Sequence, residues 1–187
     1  FNPWARIIDF ANGRGDQDVK AMQDIVLMMD GATSGIYWTV INNGQASSIH
    51  AANAIPLGEW VYVVVTIQKN GMASLSVNGV EKASGQMALP LTTLRRFNYI
   101  GKSNWTPNDA LFQGQMNFVH LWNRALSPVE ILQIVQKQRL LPLLNTFTQF
   151  DGKSTFVQLP AMNVDFSAGL TIEAHVRFDE FQHWSRI

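Results

Sequence analysis

Residues 60–79 read WVYVVVTIQKNGMASLSVNG, and this stretch decides the class of the fold. Trp60 to Gln68 is apolar at almost every position and rich in Val, Thr and Ile, side chains that suit a pleated surface and lose rotamer freedom in a helix. A run apolar on both faces predicts a central strand covered from both sides. Lys69-Asn70-Gly71 interrupts it, Met72–Val77 forms a second run, and Asn78-Gly79 turns that run into VEKASG. Asn-Gly between such runs is a strong hairpin signal, because both central turn positions need positive φ.

The pattern continues outward from this hairpin. In LTIEAHVRF (170–178), Leu170, Ile172, Ala174, Val176 and Phe178 alternate with Thr171, Glu173, His175 and Arg177, which predicts a strand with one wet face. ARIIDF, DIVLMM, GIYWTVI, SSIHAA, RRFNYIG, QMNFVHLW and STFVQL are further strand candidates. Roughly eleven to fourteen short strands at turn-punctuated spacing predict an all-β fold, a sandwich of two antiparallel sheets. One segment departs from it. LSPVEILQIVQKQ predicts a short helix near 127–138, with Ser127 as N-cap, Pro128 at the first helical position and Glu130 closing a capping box. Ile131, Ile134 and Val135 give it an apolar stripe. RLLPLLNT follows, and its Pro142 marks 141–146 as a linker.

Composition narrows the function. The 187 residues are 47% hydrophobic and 15% charged, which predicts a packed globular chain with one sizeable core. Fourteen basic and fourteen acidic residues cancel, leaving no electrostatic footprint for nucleic acid. The longest apolar runs are strand-sized, so no membrane insertion is expected. Cysteine is absent, which excludes disulfides and thiolate metal sites. The chain opens on Phe1 rather than Met, and is expected to be a processed product or a piece of something longer.

The two ends repeat each other. FNPWARI (1–7) and FQHWSRI (181–187) share Phe, Trp, Arg and Ile at four of seven positions, each 180 positions later. The phrases FDGKSTFVQLP, GLTIEAHVRFDEFQHWSRI, WARIIDFANG, GEWVYVVVTIQKNGMASLSVNG, NYIGKSN and FQGQMNFVHLWNRALSPVEI resemble, in a rotated order, a laminin-G-like, concanavalin-A-type lectin/glucanase domain. The resemblance implies a jelly-roll order of strands. Residues 1–140 read as the latter three quarters of one such sandwich, and 147–187 as the first strands of a sandwich. Two arrangements stay open: 147–187 complete the same body as a permutant, or they complete a neighbouring copy in a repeat array or polymer. Either way the face left by their absence needs covering.

The resemblance further implies a secreted or cell-surface protein, and a non-catalytic binding or adhesion module that is one unit of a repeated or polymerising chain. Its partners would be carbohydrate or a cell-surface protein, together with neighbouring copies. The alternatives are a structural subunit of an extracellular fibre joined by strand exchange and, more weakly, a glycan hydrolase. Retaining glycosidases need two carboxyls about 5 Å apart, which alternate positions on a strand supply. The related Glu-x-Asp-x-Glu run is missing: Asp179 and Glu180 are adjacent, and Glu173 stands alone beside His175 and Arg177. No enzyme is expected. Trp38, His50 and Trp105 are the candidate sugar platform, since aromatic faces stack on pyranose rings; Trp60 and Trp122 are assigned to the core. Asn12, Asp16 and Asp18 are oxygen ligands of the kind Ca²⁺ takes, and relatives of the resembled family carry calcium at a sandwich rim. Asn117 stands where such relatives often have an acidic residue. Arg14-Gly15-Asp16 matches an adhesion tripeptide, which short motifs do by accident, and Asn104-Trp105-Thr106 is a formal glycosylation sequon.

Overall fold

A computed structural model describes residues 4–15, 19–105, 109–140 and 146–180, with 138–140 as backbone only. Among them the strands run β1 (Arg6–Ala11), β2 (Gln23–Met29), β3 (Ile36–Asn42), β4 (Gln45–Ala51), β5 (Trp60–Gln68), β6 (Met72–Val77), β7 (Val80–Gln86), β8 (Leu94–Arg95), β9 (Phe97–Ile100) and β10 (Gln113–Trp122). A helix, α1 (Pro128–Leu140), precedes β11 (Thr148–Asp151), β12 (Val157–Leu159), β13 (Met162–Asn163) and β14 (Gly169–Phe178).

Two six-stranded antiparallel sheets form the sandwich, the first in the order β12-β9-β1-β2-β3-β4 and the second in the order β11-β10-β14-β5-β6-β7. A two-stranded piece, β13-β8, lies apart from both. The opening hairpin folds as its residues require: Asn78 and Gly79 take φ of 53° and 81°, and β5 pairs with β6. In the second sheet β5 lies between β6 and β14. Strand β14 pairs along its length with β5 and with β10, both from the same chain.

The core fills the space between the sheets. Phe10, Ile25, Leu27, Trp38 and Val40 of the first sheet face Val61, Val63, Val65, Ile172, Ala174 and Val176 of the second. At about 25 cal/mol per Å² of apolar surface removed from water, this layer is the main stabilising term. Helix α1 lies on the outside of the second sheet. Ile131 and Val135 bury against Tyr62 and Val64, the outward residues of β5, which is why that strand is apolar on both faces. Its start is the expected capping box: Ser127 N donates to Glu130 Oε2 at 2.8 Å and Glu130 N to Ser127 Oγ at 3.3 Å.

Four expectations change. The alternate face of β14 is not wet, because Thr171 and Glu173 are 0% and 2% exposed. Thr171 is taken into the turn before α1, where its Oγ1 accepts from Leu126 N at 2.9 Å and donates to Arg124 O at 2.9 Å. Trp122 is not core: it projects from the outer face of β10 and is 37% exposed. Trp60, also assigned to the core, sits half-buried on the same outer face. The helix runs to Leu140, two residues beyond the expected end. Residues 141–145 of the linker and the closing phrase 181–187 lie outside the described residues.

Candidate functional site

Antiparallel pairing puts Arg6 opposite Met28, Asp9 opposite Val26 and Ala11 opposite Asp24, all on the outer face of the first sheet. The next strands add Tyr37, Thr39 and Ile41 from β3, then Ala46, Ser48 and His50 from β4. Such a face is ordinarily wet, yet Asp9 and Asp24 are both 0% exposed. The cover is the loop after β9.

Asn104 of that loop is held down by Asp9. Its backbone N donates to Asp9 Oδ2 at 2.9 Å, and its Nδ2 donates to Asp9 Oδ1 and to Phe97 O. Arg6 reinforces the anchor. Its Nε lies 3.3 Å from Asp9 Oδ2 and its Nη2 lies 2.7 Å from Asp109 Oδ2, so one buried guanidinium joins the sheet to the far end of the loop, while Asp9 holds Asn104 at the near end. Ser103 Oγ donates to Asp109 Oδ2 at 2.6 Å and accepts from Trp105 N at 2.9 Å. Burial raises the Asp109 carboxyl, and Arg6 and Ser103 pull it back. Asp24 is compensated less. Neither of its oxygens makes a hydrogen bond, and burial, then the charge of Asp9, push its carboxyl well up, against smaller opposing effects of Arg6 and Trp105.

With the loop fixed, Trp105 closes over Gly15. A Cβ on Gly15 would meet the indole at 2.4 Å, so a residue without a side chain is required beneath the ring. Trp4 rises on the other side with φ of 79°, a conformation bulky residues avoid. Its carbonyl accepts from Arg6 Nη1 at 2.8 Å, and its ring centroid lies 6.0 Å from that of Tyr37. Between Trp4, Tyr37 and Trp105 open two adjoining hollows of ≈ 330 and ≈ 290 Å³, which share Trp4, Arg6, Met28 and Trp105. The floor is Val26, Met28, Thr39, Ile41 and Ser48. Small-molecule sites have this form, an apolar concavity with a few polar groups. Three aromatic walls suit the apolar face of a sugar ring or of a planar side chain.

The candidate residues from sequence fall differently. Trp105 lines the cleft. His50 stacks on Tyr37 at 4.2 Å and puts Nε2 3.0 Å from Asp30 Oδ2, so it supports the cleft wall from outside. Trp38 points the other way and is 0% exposed in the core, which gives it no face for a ligand; alternation along β3 turns Tyr37 outward in its place. Trp4 and Tyr37 were missed, although the outward parity of Tyr37 follows from the same strand once Trp38 is assigned inward.

Asn12 braces its own loop: Oδ1 accepts from Gln23 N at 2.8 Å and Nδ2 donates to Ala21 O at 3.0 Å. Asp16 and Asp18 lie outside the described residues, and among the described residues no group of three His, Asp or Glu is placed to hold a metal ion. In the adhesion-like tripeptide, Arg14 sits over the Phe97 ring at 5.1 Å and Gly15 lies under Trp105. The sequon asparagine, Asn104, is 3% exposed with its amide spent on Asp9. Asp9 and Asp24, paired carboxyls on neighbouring strands, are sealed under the loop and out of reach of a substrate.

A family model described as the concanavalin A-like lectin/glucanases superfamily, with the name Laminin_G_3, matches residues 1–132. Neither the curated proteins nor the solved structures give a match. No helix among the described residues is long and apolar enough to cross a membrane.

Proposed function

We propose that the chain, which belongs to the concanavalin A-like lectin/glucanase superfamily, is a non-catalytic extracellular module that binds carbohydrate between Trp4, Tyr37 and Trp105. Membership supports a binding module in general, and laminin-G-like domains are typically extracellular and non-catalytic. The observation that carries the finer reading is the cleft itself: three aromatic walls over an apolar floor, held by a loop anchored through Asn104 and Arg6. The ligand exchanges water for ring faces, and the hydroxyls of Thr39 and Ser48, 2.9 Å apart, supply polar contacts at the floor. A glycan array tests it. Retention of a pyranose oligosaccharide by the wild-type protein, lost in Trp105→Ala, is the expected result; an array with no bound glycan overturns the reading.

A second reading, a structural subunit of an extracellular fibre joined by strand exchange, is favoured by the repeated phrase. Trp4 walls the cleft, Arg6 holds both aspartates and Ile7 is 0% exposed, and the same residue types recur as Trp184, Arg186 and Ile187. Against it, β14 already pairs with β5 and β10 of its own chain, which supports a unit that closes on itself. Light scattering after size exclusion decides: a compact monomer at high concentration ends the fibre reading, and a concentration-dependent polymer favours it.

A further inference from the structure

The outer face of the second sheet holds a constellation that the cleft does not use. Glu173 of β14 is 2% exposed, and three side chains address its carboxylate. Tyr62 donates its hydroxyl to Oε2, Trp122 Nε1 donates to Oε1 at 3.1 Å, and His120 Nδ1 lies 2.7 Å from Oε1. Register explains the meeting, because Glu173 pairs with His120 on β10 and Trp122 follows two residues on, with its ring on the same face.

The arrangement is unusual in what it holds. The carboxylate is buried, but two of the three rings it fixes reach into solvent, the His120 side chain at 52% and Trp122 at 37% exposed. Burying a carboxylate is costly, and a core network needs no exposed rings to satisfy one. When the Glu173 carboxyl is ionised it accepts from His120 Nδ1, which leaves Nε2 as an acceptor facing outward. Phe118 stacks beneath His120 at 4.6 Å with planes 15° apart, which adds to the hold of Glu173 on the imidazole. Arg124 lies over one face of the Trp122 ring at 5.7 Å and is paired with Glu130 at 2.8 Å, so a ligand stacks on Trp122 only where Arg124 leaves the ring open.

We propose that Trp122 and His120, oriented by Glu173, form a second binding platform for a neutral pyranose, independent of the Trp105 cleft. Residues two apart on one strand face are separated by about 7 Å, close to the span of a single sugar ring. The apolar face of the sugar stacks on Trp122 while one hydroxyl donates to His120 Nε2. Glu173 is a positioning residue: it touches the rings and not the sugar. Sites on both outer faces would let one module bridge two glycan chains.

The proposal shares its ligand class with the Trp105 cleft, so the experiment must read the two sites separately. Cellohexaose, mannohexaose and chitohexaose are titrated into ¹⁵N-labelled protein while the indole Hε1 signals of Trp105 and Trp122 are followed. With at least one probe, the Trp122 signal and the backbone amide of His120 shift in wild type, and in Trp122→Ala the His120 amide reports about tenfold or more loss of affinity at this face, with the Trp105 response unchanged. Glu173→Gln, which keeps shape but cannot accept from all three donors, weakens the Trp122 response and spares that of Trp105. If Trp105 responds and Trp122 stays silent, the second platform is overturned and the cleft stands. If Trp122 alone responds, the cleft reading falls and this one stands; silence of both overturns both. A dimer in light scattering that Trp122→Ala dissolves also overturns it, since the platform would then be an interface between copies.

Discussion

On the outer face of the first sheet, Asp9 is covered by the backbone and side-chain amides of Asn104 and by a salt bridge, whereas on the outer face of the second, Glu173 is covered by side-chain rings. The cover determines what each face can do. A loop pinned by Asn104 and Arg6 stands away from the sheet and leaves a cleft beside it. Rings pinned by Glu173 lie on the sheet and leave a platform. The loop cover also seals in Asp24, which received no donor, while all three groups around Glu173 can donate. A strand pattern alone does not separate these outcomes, because both acids stand at outward positions in plain alternation.

The comparison breaks most visibly at Arg6. Replacing it with alanine leaves Asp9 and Asp109 without their shared cation, a loss of about 3–5 kcal/mol for a buried pair, and urea denaturation should show it. A midpoint unchanged from wild type would mean that the loop is held by hydrogen bonds alone. The corresponding change on the second sheet, Glu173→Ala, should cost less, about 1–3 kcal/mol, since Trp122 and His120 can turn to water once released.

The dependence on pH sharpens the contrast. Asp24 has its carboxyl raised in the fold, so its contribution is fully present below the unfolded value and is lost as pH rises through the native one. Asp24→Asn should therefore change little in acid and be more stable than wild type at alkaline pH, measured as thermal midpoints across a pH series. Equal slopes for the two proteins would contradict it. Burial pushes the Glu173 carboxyl up to about 7, which gives the same sign over a defined window. Between about 4.5, its ordinary value, and 7, stability drawn from this group falls with pH, and Glu173→Gln should flatten that segment alone.

Much of the fold was legible. Asn78-Gly79 specified a hairpin because the turn needs positive φ, and Ser127, Pro128 and Glu130 specified the helix start because each satisfies a local backbone demand. These signals are local. The covers are not: Asp9 meets Asn104 across 95 residues, and Glu173 meets Tyr62 across 111, and nothing near either acid announces its partner. Trp38 reads as a ligand residue because aromatic content is visible in sequence while facing is not; one position earlier, Tyr37 has the outward parity. Trp122 reads as core for the converse reason, and its place on the outer face of β10 leaves it 37% exposed.

The claim that the loop-made cleft is the ligand site is tested most directly by isothermal titration of an array-selected oligosaccharide into wild type, Trp105→Ala and Tyr37→Ala. Both rings also pack on neighbours, Trp105 on Gly15 and Tyr37 on His50, so the folded state of each variant is checked by its melting transition before titration. Loss of about tenfold or more in affinity for the cleft in each variant, with the fold intact, is the predicted result. Wild-type affinity in both variants would place the ligand elsewhere and contradict the account.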